Sequence, residues 1–249
     1  MSITVMNAAA TWWASDIPVL PSPVAMQWGL QASWSVVLAW LGAVLAARWT
    51  RGRAVPLGVA MALAVSAWLP GQASTSYWLG LAFQAPSVSA VLLCAALLRV
   101  QWVASWAGPE GAVPGVAPAV VVGGGVVNVA PDTALAALGV VLGWALLLDT
   151  FALLPVPLYA WGFSPIAAVV AVLLGWAPWL LVGPGRSVGW GTGVCTVAVL
   201  LFVLLRLPSG NLWDAVLDPW LWLALHMYVG RRVCTCYQKN SCLRTLDGR

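Results

Sequence analysis

ALAALGVVLGWALLLDTFALLP, residues Ala134 to Pro155, is the stretch from which the rest of the chain is read. As a helix rising 1.5 Å per residue, about twenty apolar residues cover a hydrocarbon core of roughly 30 Å. This stretch is therefore long enough to cross a bilayer, and it carries a single charge, Asp149. A carboxylate inside such a span costs on the order of a few kcal/mol unless it is paired, protonated or wetted. Asp149 is the first candidate for function.

Composition agrees with the membrane reading. The chain has 249 residues, of which 62% are hydrophobic and only 7% charged. An ordinary soluble domain carries about 25% charged residues, so too little polar surface is available here. The separate apolar runs predict an all-α, polytopic bundle in one domain. The net charge of +4 comes from basic residues at the ends of apolar runs. There they orient membrane helices and do not mark nucleic-acid binding. Arginine outnumbers lysine ten to one, which with the Ala, Gly and Val bias suggests a GC-rich bacterial genome and an inner-membrane location.

Working outward, seven spans are predicted, over about 26–47, 54–69, 77–98, 134–154, 165–182, 188–207 and 212–229. Residues 1–25 form an external segment in which Pro18, Pro21 and Pro23 break any helix. No Lys or Arg precedes Met26, so no signal peptide is expected. Arg48, Arg51 and Arg53 close the first span and set the orientation as N-out and C-in. Arg99, Arg186, Arg231 and Arg232 then fall on the cytoplasmic side, and Arg206 is the exception. Residues 108–133 hold several prolines and Gly123-Gly124-Gly125 and are read as a re-entrant or surface-lying segment. Counting them as a crossing would put Arg186 and the basic tail, 231–249, outside.

Tryptophan favours the headgroup level. Trp28, Trp49, Trp68, Trp78, Trp102, Trp106, Trp161, Trp176, Trp179, Trp190, Trp213 and Trp220 all fall near span ends. Trp34, Trp40 and Trp144 do not, and are expected between helices. Gly139-x-x-x-Gly143 and Gly189-x-x-x-Gly193 permit close helix approach, with spans four and six the expected pair.

Three constellations carry chemistry-bearing side chains. Asp149, Arg206, Asp214 and Asp218 fall at one end of spans four, six and seven. They either form an ion or proton site, or an Asp149–Arg206 pair fixes helix register while Asp214 and Asp218 cap span seven. His226 is the single histidine. It either ligates a metal or haem, shuttles protons, or hydrogen-bonds across the bundle. Alone, it cannot supply bis-histidine ligation. Cys234, Cys236 and Cys242 in the tail, with His226, are the densest potential ligands for Zn or Cu(I). The Cys-x-Cys spacing departs from the usual structural zinc pattern. Free or acylated thiols beside anionic lipid are the other reading.

The absences narrow the classes further. The only lysine is Lys239 in the tail, so no retinal Schiff base is expected in the last span, and no His-Glu-x-x-His or P-loop occurs. The expectation is a small permease component or an accessory subunit of a membrane complex, in contact with lipid and other membrane proteins. The alternative is a membrane-embedded metal or redox protein using His226 and the cysteines.

Overall fold

The computed structural model describes residues 20–50, 54–106, 119–122, 125–128, 133–182 and 190–247. The expectations for residues 1–19, for Arg51 and Arg53, and for the turn at Arg186 lie outside them. So does most of 108–133, of which two strands are described. β1 (Ala119–Val122) and β2 (Gly125–Asn128) pair antiparallel, with Val120 opposite Val127 and Val121 opposite Val126. Runs of β-branched valine favour this pairing.

The other elements are helical. α1 (Pro23–Trp49) and α2 (Ala54–Ser66) pack together, and α1 also meets α3 (Thr75–Phe83) and α4 (Val88–Trp106). α5 (Thr133–Thr150) and the one-turn α6 (Leu158–Trp161) precede α7 (Pro165–Val182) and α8 (Trp190–Leu205). The short α9 (Leu212–Val216) leads into α10 (Pro219–Asp247). α4 and α9 pack on α8, α8 on α7, and α10 on α5.

Two of the described helices, α1 and α5, are long and apolar enough to cross a membrane. Val88–Val103, Pro165–Leu180, Trp190–Leu205 and α2 are shorter apolar helices. Packing inverts the soluble pattern. Among the described residues, more than half of the buried apolar side chains are alanine, including Ala39, Ala43, Ala60, Ala136, Ala171 and Ala198. Large apolar side chains such as Leu45, Met61, Val141, Leu173 and Leu200 face outward. Small residues inside allow backbones to approach closely, which is how helices associate without a hydrophobic driving force.

Several predicted spans are divided. The run 77–98 is two helices, because Pro86 lacks an N–H and disfavours helix at Ala85. Gln84 turns the chain at φ 61°, and Ser87 caps α4 by accepting from the Ala90 N–H at 3.1 Å. The run 212–229 is also two helices, divided at Leu217-Asp218 ahead of Pro219, which takes the first position of α10. Beyond that point α10 continues as helix to Asp247, through the segment read as a separate tail.

The opening stretch is shorter than expected as a helix. α5 stops at Thr150, four residues before Leu154. Ala152 adopts φ 52°, its N–H donates to the Asp149 carbonyl at 2.9 Å, and the Leu153 N–H donates to Leu148 at 3.0 Å. These two bonds satisfy the last carbonyls in a Schellman closure, with alanine where glycine is usual. Asp149 therefore sits in the final turn of α5 and not inside a continuous crossing.

Gly139 and Gly143 also differ from expectation. They face α10, not the sixth predicted span. A Cβ at Gly143 would stand 2.2 Å from Cδ1 of Trp222, and one at Gly139 would stand 2.7 Å from Leu225. A Cβ at Gly193 would meet nothing within 4 Å, and Gly189 lies outside the described residues.

Candidate functional site

Three chain breaks supply the polar side chains at one end of the bundle: 84–87, 151–164 and 206–218. Each break frees backbone groups that must find partners. Asp149 accepts from the Tyr159 N–H at 2.7 Å, so the carboxylate at the end of α5 caps the start of α6. The Tyr159 hydroxyl donates to Asp214 Oδ2 at 2.8 Å, and Ser209 Oγ donates to the same oxygen. One tyrosine thus joins Asp149 to Asp214. Burial, followed by its hydrogen bond to Asp214, raises the Tyr159 phenol to about 12.

Asn211 is fully buried and ties the two loops together. Its Oδ1 accepts from the Trp213 N–H at 2.9 Å, and its Nδ2 donates to the Tyr159 carbonyl at 2.9 Å. The Leu212 N–H donates to the Gly162 carbonyl at 2.9 Å. Gly162 is required here, since a Cβ would lie 1.9 Å from Asn211 Oδ1. Trp213, placed at the headgroup level by sequence, is 3% exposed and donates its indole N–H to Leu158 O at 2.9 Å.

Asp218 joins the other pair of breaks. Its Oδ1 accepts from the Leu221 N–H at 2.7 Å, capping α10, and its Oδ2 accepts from the Ser87 N–H at 2.7 Å. Two helix starts distant in sequence therefore share one buried carboxylate. Positive ends of helix dipoles and direct N–H donors compensate its charge. On the neighbouring break the Gln84 carbonyl accepts from the Trp34 indole N–H at 2.9 Å, which positions buried Trp34 between helices. Arg206, at φ 59°, is buried and lays its guanidinium over the Phe202 ring at 5.2 Å.

His226 lies in the seam between α5 and α10. Its Nδ1 is 2.9 Å from the Trp222 carbonyl, which can only accept, so Nδ1 carries the proton. Nε2 then accepts from the Trp144 indole at 3.1 Å. The imidazole packs edge-on to Trp222 at 4.6 Å, and Trp222 donates its own N–H to Val140 O at 3.1 Å. With both ring nitrogens engaged, no lone pair is left pointing at a ligand. Cys234 is exposed eight residues further on, roughly 12 Å along the helix. The side chains of Cys236 and Cys242 lie outside the described residues, so the predicted thiol group is not described as a set. Among the described residues, no three His, Cys, Asp or Glu side chains are grouped as a metal would need.

An apolar cavity of about 310 Å³ lies beside these polar junctions. α5 contributes Ala136, Gly139, Leu142 and Ala145; α7 contributes Ala171 and Gly175; α8 contributes Gly191, Val194 and Cys195. Trp213, Leu217 and Leu221 form the part nearest α9 and α10.

Sequence reasoning singled out the carboxylates but missed their targets. Tyr159, Asn211 and Ser87 are organising residues that no motif marks, although Asn211 after Pro-Ser-Gly is a recognisable cap signal. Comparisons with protein-family models, with curated proteins and with solved structures found no match for this chain.

Proposed function

We propose that this chain is a multi-pass bacterial inner-membrane protein without a catalytic centre of its own, serving as an accessory subunit of a membrane complex. One observation carries the reading. Asp149, Asp214, Asp218 and His226 are all engaged in closing helix ends or joining helices. A proton or ion path needs carboxylates that open onto the path and change partners. The outward-facing apolar side chains and the alanine-rich interior support immersion in lipid. The basic C-terminal part of α10, from Arg231, suits an anionic lipid surface at about 1 kcal/mol per basic residue.

Purification in mild detergent, followed by mass spectrometry of co-purifying proteins and metals, tests this reading. A reproducible membrane-protein partner is expected. A chain that purifies alone and loses solute transport on Asp149→Asn, while staying folded, would make it a permease instead. The metal-handling alternative rests on the tail thiols and predicts near-stoichiometric Zn or Cu, removed when Cys234, Cys236 and Cys242 become Ser.

A further inference from the structure

We infer that the cavity between α5, α7 and α8 is a lateral binding site for one hydrocarbon chain of a membrane lipid. The inference rests on the membrane reading but not on the accessory role. It begins with residue size. Among the larger apolar residues of the wall, three helices contribute small ones: Ala136, Gly139 and Ala145 of α5, Ala171 and Gly175 of α7, and Gly191 of α8. These small residues leave space, and about 310 Å³ remains. That is near the lower end of the roughly 300–1,000 Å³ range of small-molecule sites.

The wall chemistry selects the occupant. Ser89 and Cys195 are the polar side chains on the wall, and the Cys195 thiol is turned toward the Ala171 carbonyl at 3.8 Å. Trp213 presents ring carbon, its N–H being engaged with Leu158. Such a wall offers an ion or a sugar nothing to replace its hydration. A hydrocarbon chain loses nothing by entering.

The opening selects the source. Leu138 and Val141 of α5 and Leu174 of α7 line the cavity and are also exposed on the outer surface. The mouth therefore lies between α5 and α7, continuous with the outer apolar face that includes Leu173 and Val169. A molecule entering sideways at that depth comes from the bilayer and not from water. A straight acyl chain and an isoprenoid tail share this chemistry.

Photo-crosslinking in phosphatidylcholine vesicles tests the site. Two diazirine probes are used, one on a phosphatidylcholine acyl chain and one on a polyprenyl alcohol, with the sites mapped by mass spectrometry. Label is expected on Leu142, Val194 and Leu221 inside, in addition to Leu200 and Leu204 outside. Internal label from the acyl probe identifies a phospholipid source, and internal label from the polyprenyl probe an isoprenoid one. Ala145→Phe fills the cavity and should abolish internal label, whereas Leu147→Phe, on the same helix but off the cavity wall, should not. Val194→Phe serves where Ala145→Phe fails to fold. Label confined to Leu200, Leu204 and other outer residues would overturn the site and leave the membrane reading standing. No label anywhere would overturn both.

Discussion

Helix α5 has two sides made of the same kind of residue, with opposite outcomes. On one side Gly143 meets Trp222 of α10, and the indole fills the space that the glycine leaves. On the other side Ala145 faces a cavity whose wall also holds Ala171, Gly175 and Gly191, and the space stays open. A small residue brings helices together only when the facing residue supplies the missing volume. The filled side is also the hydrogen-bonded one, where Trp144, Trp222 and His226 bridge the two helices. Mechanically, α5 is anchored on α10 and open toward α7.

The sharpest way to break this comparison is to add volume on each side. Gly143→Ala puts a methyl group into the Trp222 ring and should lose about 1–3 kcal/mol, the usual range for overpacking. Ala145→Phe, two residues on, enters open space and should change stability by less than about 1 kcal/mol. Thermal unfolding of both variants in one detergent checks the pair, and equal losses would erase the distinction.

Asp218→Ala should rank next. It leaves the Ser87 and Leu221 N–H groups without their acceptor and should cost about 1–3 kcal/mol. Asp218→Asn keeps one acceptor oxygen and should cost less. On the filled side, Trp144→Phe preserves ring packing but removes the donor to His226, for a loss of about 1 kcal/mol. Denaturant unfolding separates these two effects.

The smallest effect is expected at Tyr159, and it depends on pH. The phenol is raised from its ordinary 10.0 to about 12, mainly by burial and then by Asp214. A raised phenol contributes fully below pH about 10, and its contribution is lost as pH rises through about 12. Tyr159→Phe should therefore destabilise the protein slightly at pH 8 and flatten this alkaline loss. Unfolding followed between pH 8 and 12 reads both.

The helical class was legible in the apolar runs, and the chain breaks were not. Pro86 and Pro219 mark two of them, yet the apolar runs 77–98 and 212–229 read straight across both. Ala152, Gln84 and Arg206 turn the chain at positive φ without glycine, so α5 was read four residues too long. The carboxylates were visible as residues out of place in apolar runs. Their partners were not, because most are backbone N–H groups freed by breaks elsewhere: Tyr159 for Asp149, Ser87 for Asp218. The glycine pattern announced a close approach but could not say which helix supplies the tryptophan.

On the proposed membrane reading, the polar junctions and the C-terminal part of α10 lie on opposite sides of a bilayer. Val156, exposed in the loop beside Tyr159, and Cys234, exposed on α10, report the two sides. A membrane-impermeant maleimide, applied to right-side-out and inverted vesicles, measures this directly. The Val156→Cys position should label only from outside and Cys234 only from inside. Labelling of both from the same side, or release of the protein by an alkaline carbonate wash, would contradict the account.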